Sequence, residues 1–259
     1  MHITRKALDS AGPARTPPEF GGILHRAIRE VLNQPDPYLK YKNQSNETAR
    51  TLLEDLEKLV LAANDPFDAA LKLAIAGNIV DMGAPGGRTH NLMEFFMKSL
   101  KSPLVCVPGS VSVEKFRQEV MGAGRILYLA DNAGEIVLDR LLVEMLPAGR
   151  VTVAVRSSPA INDALYADAE YAGLTQIAEV IESGSDIPGT VLSMCSDEFR
   201  DLFRSADLII SKGQGNYETL SDEDGNMYFL LMVKCPIVAE HLRCSEGDMV
   251  LAADAQDHA

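Results

Sequence analysis

The stretch ILYLADNAGEIVLDRLL, Ile126 to Leu142, runs from an apolar strand into a polar, glycine-bearing turn and then into a helix. Two further stretches repeat the pattern, VTVAVRSSPAINDAL (Val151 to Leu165) and ADLIISKGQGNYETL (Ala206 to Leu220). Open α/β sheets bind ligands at the carboxyl ends of their strands. Here those ends carry Asp131, Asn132, Arg156, Asp163, Lys212 and Asn216. Two carboxylates, two amides and two cations directed at one edge point to a site for a metal ion and a phosphate.

Working outward, the apolar runs LVCV, ILYLA, VTVAV, AEVI, DLIIS and YFLLMV alternate with amphipathic segments. That alternation predicts parallel strands joined by helical crossovers. Before them the chain reads as helical. Pro17 and Pro18 open EFGGILHRAIREVLN, whose apolar residues fall at helical spacing. The Gln34-Pro35-Asp36-Pro37 segment breaks the pattern, Pro37 suits the first turn of the next helix, and Asn46 leads into ARTLLEDLEKLVLAA. A third helix runs from Pro66 through ALKLAIAGNIVDMG to the cluster Gly83-Ala84-Pro85-Gly86-Gly87, and a further helical stretch covers Leu92 to Leu100. The expected architecture is an all-helical domain, residues 1–102, packed on a Rossmann-like three-layer α/β domain, residues 103–259, with a mostly parallel sheet. The last residues, AADAQDHA, read as a frayed tail.

Composition narrows the function. A net charge of −13 over 259 residues argues against a broad nucleic-acid or anionic-membrane surface. No apolar run reaches the roughly 20 residues of a membrane span, and MHITRKALDSAG lacks the apolar core of a signal peptide. A cytoplasmic protein is the expectation. The four cysteines contain no C-x-x-C pair and the five histidines no H-x-x-x-H pair, so a metal here would be held by oxygen.

Each chemistry-bearing segment also has a bland reading. Asn132 and Glu135 fit a capping box, but Asp131 at the end of a buried strand is costly unless it is paired or binds a metal. Ser158 with Pro159 fits a helix start, placing Asp163 in the opening turns as a helix-dipole acid or as a second hard carboxylate. Arg156 either holds a phosphate or neutralises these acids. Lys212 ahead of Gly213 and Gly215 reads as a phosphate cradle, although it matches neither a Walker loop nor the dinucleotide fingerprint. Asn78 and Asp81 share one face near a helix terminus.

Taken together, LADNAGE, RSSPAINDA and SKGQGNYE resemble the metal-dependent damage-control phosphatase family, which removes phosphate from damaged or surplus phosphometabolites. The resemblance extends through TPPEFGGILHRAIREVLNQPDPY and AIAGNIVDMG, from about residue 16 to residue 250. It implies that Asp131, Asn132 and Asp163 ligate a divalent cation (Mg²⁺, Mn²⁺, Co²⁺ or Ni²⁺). It implies phosphoryl binding by Lys212, with Asn78, Asp81, Glu135, Arg156, Gly213 and Asn216 around the substrate, a small phosphorylated metabolite. Similar family members often carry cysteines in an N-terminal helical segment, whereas the first cysteine here is Cys106. Two rivals remain open, a non-catalytic phosphometabolite-binding module and an S-adenosylmethionine-dependent carboxyl methyltransferase. The glycine-rich loop and ribose-binding acid that the second needs are not evident.

Overall fold

The computed structural model describes residues 16–80, 89–107 and 111–253. Helix α1 (Pro17–Leu32) starts at a capping box in which the Thr16 amide donates to Glu19 Oε2 at 2.8 Å. It stops at Asn33, whose φ of 50° is left-handed. Helix α2 (Leu39–Leu61) then runs unbroken through Asn46, where the sequence predicts a start. Asn46 does cap a helix, but a distant one. Its Oδ1 accepts from the Gly134 amide at 2.7 Å and its Nδ2 donates to Asp168 Oδ1 at 2.7 Å.

Helix α3 (Pro66–Ala76) has Pro66 at its first position, and the Asp65 side chain accepts from the Asp68 amide. It is apolar on nearly every face and is buried on nearly every face, as a core helix must be. A 3₁₀ turn, Gly77–Ile79, follows it, then comes α4 (Thr89–Lys101). Residue 102, where the sequence reading divides the chain, lies between α4 and β1 (Val105–Val107), and α2 and α3 share one apolar core with the sheet.

The remaining elements alternate: α5 (Val113–Gly122), β2 (Ile126–Leu129), α6 (Glu135–Val143), β3 (Val151–Val155), α7 (Tyr166–Ala172), β4 (Glu179–Glu182), α8 (Asp197–Ser205), β5 (Leu208–Lys212), α9 (Gly213–Leu220), β6 (Met227–Met232), α10 (Pro236–Leu242) and β7 (Met249–Ala253). They form one seven-stranded sheet in the order β1-β7-β6-β5-β2-β3-β4. The block β6-β5-β2-β3-β4 is parallel throughout. β7 returns antiparallel beside β6, and β1 pairs parallel with β7 at the edge. LVCV thus runs against the parallel block. Ala252 and Ala253, expected in a frayed tail, belong to β7.

One apolar layer joins α2, α3, α5, α6 and α7 to one sheet face, through residues such as Leu56, Leu71, Phe116, Tyr128, Leu138 and Tyr228. The other face is covered by Phe199, Phe203, Tyr217, Leu220 and Leu242 from α8, α9 and α10. Among the described residues no helix is long and apolar enough to cross a membrane. The connection after β4 returns to β5, directly beside β2, so the strand order reverses between β2 and β5. A crevice opens at such a switch point, at the carboxyl ends of the two strands.

Candidate active site at the β2–β5 switch point

Beyond the end of β2, Asp131 and Asn132 enter a turn that Gly134 completes. Gly134 adopts φ 81°, and a Cβ there would stand 2.8 Å from Ser45 Cβ, so only glycine lets α2 approach this closely. The expected capping box does not form. Gly134 occupies the cap position of α6, and Asn132 and Glu135 instead direct their side chains at one another, with Asn132 Nδ2 3.4 Å from Glu135 Oε2. The helix predicted from Ser158 and Pro159 is likewise replaced. Residues beyond Arg156 loop over the strand ends, and α7 starts only at Tyr166. Local cap chemistry loses here to long-range pairing: Asn132 and Asp163 form an antiparallel bridge, and the Ala164 amide donates to the Asp131 carbonyl at 2.8 Å.

These turns bring the acids together. Asp131 Oδ2 accepts from Asn78 Nδ2 at 3.0 Å and from Asn132 Nδ2 at 2.6 Å. Asn78 Nδ2 also reaches Glu135 Oε2 at 2.6 Å, and Asn132 Oδ1 accepts from Asn162 Nδ2 at 2.8 Å. Burial first, and then the charges of Glu135 and Asp163, push the Asp131 carboxyl well above the usual carboxylate range. On the other side of the turn Gly213, at φ 79°, presses against the Asp131 carboxylate, leaving no room for a Cβ.

The two cations are spent on protein groups. Lys212 has no exposed surface, and its ammonium donates to the Ala74 carbonyl at 2.9 Å, Glu135 Oε1 at 2.6 Å and Asp139 Oδ1 at 2.5 Å. An ammonium has three hydrogens, and all three are used. Burial raises the Asp139 carboxyl to about 7 against the opposing pull of Lys212. Arg156, only 3% exposed, donates to Asp163 Oδ2 at 2.9 Å, Thr190 Oγ1 at 3.1 Å and Asn216 Oδ1 at 2.9 Å. Of the two roles open to Arg156, neutralising the acids is the one this geometry displays. Asn216 is fully buried and ties the strands together, donating to the carbonyls of Ala130 and Lys212.

The structure therefore gathers Asn78, Asp131, Asn132, Glu135, Arg156, Asp163, Lys212, Gly213 and Asn216 at one strand edge. Asp81 lies outside the described residues. Sequence reasoning missed Asn46, Asp139, Asn162, Thr190 and Lys234. Of these, Asp139 carried a readable signal, an acid four residues after Glu135 on a helix otherwise apolar except for Arg140. Lys234 lies half-buried just past β6, its amide donating to Gln214 Oε1 at 2.9 Å, and its charge is felt by Asp131.

Asp131, Glu135, Asp139 and Asp163 are buried beside only two buried cations, Lys212 and Arg156, with half-buried Lys234 nearby, so acids outnumber cations here. Among the described residues no three His, Cys, Asp or Glu side chains converge as a metal-ligand group. The donor set on offer is two carboxylates, Asp131 and Asp163, joined by the Asn132 amide. Its hard oxygens and the surrounding excess of acids both suit one divalent cation.

The chain is similar to proteins of known family. It is 38% identical over 234 residues to the damage-control phosphatase PH1575 of Pyrococcus horikoshii, a match covering 89% of this chain and 79% of that relative. It is 36% identical over 231 residues to a damage-control phosphatase of Archaeoglobus fulgidus, covering 88% and 79%. The crystal structure of a DUF89 family protein from Pyrococcus horikoshii superposes with a TM-score of 0.88 at 34% identity, covering 98% of this chain and 88% of that one. The family model of the damage-control phosphatase ARMT1-like domain matches residues 3–250, and the chain belongs to that family.

Proposed function

We propose that this protein is a divalent-metal-dependent phosphomonoesterase acting on small phosphorylated metabolites. The observation that carries the reading is the excess of buried acids at the β2–β5 switch point, where four acids face two buried cations. Asp131, Asn132 and Asp163 would hold the cation. When bound, it supplies charge neutralisation for the phosphoryl group, an effect on the order of several kcal/mol.

The protein's own groups perform the remaining tasks. Asn78 and Asn132 fix the Asp131 carboxylate, and Arg156 fixes Asp163. Lys212 and Asn78 hold the Glu135 carboxyl in place, so Glu135 and Asn78 orient the site rather than meet the ester. Lys234, half-buried just past β6 with its charge felt by Asp131, would receive the phosphoryl oxygens. The names of the relatives support phosphate-ester hydrolysis, and the local chemistry supports a cation.

The test is phosphate release from p-nitrophenyl phosphate and a panel of sugar phosphates, with chelator-treated protein before and after Mg²⁺, Mn²⁺, Co²⁺ or Ni²⁺ is restored. Turnover that returns with the cation supports the reading. Folded protein that binds the cation and leaves every ester intact favours a binding module instead.

A further inference from the structure

We propose that His25, on α1, is a positioning residue for this site: its imidazole pins the turn Pro159–Ile161 and so fixes Asn162 and Asp163 against Asn132 and Asp131. The functional half of this proposal rests on reading the site as a phosphatase centre.

Ile161 has φ 50°, a left-handed conformation that a β-branched residue does not adopt unaided. Something outside the turn must impose it. The Ile161 amide donates to His25 Nδ1 at 3.3 Å, and the Pro159 carbonyl faces the same imidazole. Helix α1 is brought close by glycines. A Cβ on Gly21 would stand 3.5 Å from Ile161 Cδ1, and one on Gly22 would collide with Ile187 Cδ1. Arg26 and Arg29, on the same helix, both bind Asp186, which anchors α1 to the neighbouring loop.

Consequences appear within two residues. Asn162 accepts from the Ala133 amide at 2.9 Å through its carbonyl and donates to Asn132 Oδ1 at 2.8 Å through its side chain. Asp163 then bridges to Asn132. A change in backbone angle at Ile161 is transmitted directly to both.

The state of the ring itself is a second, independent observation. His25 is 2% exposed and packs 5.5 Å from the Tyr38 ring, yet its Nε2 has no hydrogen-bond partner. A buried imidazole with an orphaned nitrogen is a costlier filler than leucine. What offsets that cost is the bond that Nδ1 accepts from the Ile161 amide.

The experiment compares wild type, His25→Leu and His25→Asn by hydrogen exchange and by steady-state kinetics with cation present. Asparagine keeps a side-chain acceptor near the Nδ1 position, and leucine does not. In His25→Leu the amides of residues 161–164 should exchange about 10-fold faster or more, while those of β3 stay unchanged. Its kcat should fall by about 10- to 100-fold with KM little altered, as expected of misplaced catalytic groups. His25→Asn should restore most of both. Folded His25→Leu with wild-type exchange and kcat overturns the proposal, as does failure of His25→Asn to restore either. Folded wild type that turns over no ester counts against the phosphatase reading, and the exchange comparison then decides the role of His25 alone.

Discussion

Lys212 Nζ lies 2.6 Å from Glu135 Oε1 with no surface exposed to solvent, and its other hydrogens go to Asp139 and the Ala74 carbonyl. A lysine at a strand end followed by glycines looks like a phosphate ligand. Here it serves as the internal counter-ion of an acidic cluster. Removing one partner of such a buried pair leaves uncompensated charge, typically costing about 3–5 kcal/mol. Lys212→Met should therefore lower the urea midpoint sharply, whatever it does to catalysis.

Lys234 should behave in the opposite way. It is half-buried just past β6, where its charge is felt by Asp131. Lys234→Ala should cost clearly less stability than Lys212→Met, because Lys234 is half-buried whereas Lys212 has no exposed surface. Its kcat/KM for phosphate esters should fall about 10-fold or more, the scale on which one transition-state donor acts. Thermal melts and initial rates on the two lysine variants separate the roles directly.

Asn46 links α2 to the turn that carries Asp131. Asn46→Ala strands both the Gly134 amide and one oxygen of Asp168. The expected loss is about 1–3 kcal/mol, since buried polar groups left unmade cost that much. Equilibrium unfolding measures it, and a neutral result would contradict the structural role assigned to Asn46.

The ion pairs of α1 give a pH signature. Arg26, and then Arg29, hold the Asp186 carboxyl below the usual carboxylate range. A depressed folded-state value means that the stabilisation is complete above about pH 4, the ordinary carboxylate range. It is lost as pH falls through the lowered value. Asp186→Asn should thus be less stable than wild type at pH 7, by about 0.5–1 kcal/mol for a pair partly open to solvent. The gap should close below about pH 3. A gap that widened on acidification would show the sign to be wrong.

What the sequence made legible follows from the range of the interactions. The strand–turn–helix units at Ile126, Val151 and Ala206 were readable because strand period, turn chemistry and helix period lie within about 15 residues. They placed Asp131, Asn132, Asp163 and Lys212 at one edge without any three-dimensional information. The partners of Asn46, 88 and 122 residues away, leave no local trace, so it read as a helix start. Ser158 and Pro159 did carry true cap chemistry, which the Asn132–Asp163 bridge overrode. Strand β7 was missed because Met249–Ala253 is short and ends in alanines of low strand propensity. Its burial between β1 and β6 makes it a strand.

The most direct test of the account is cation-restored phosphate release by wild type and Asp131→Asn, alongside thermal melts of both after chelation. Chelated wild type should be inactive, and one of the four cations should restore turnover. Asp131→Asn, which keeps the side-chain shape and removes a crowded buried charge, should fold and melt no lower than chelated wild type. It should show no cation-restored turnover. Metal-dependent turnover surviving in folded Asp131→Asn would contradict the assignment of the site.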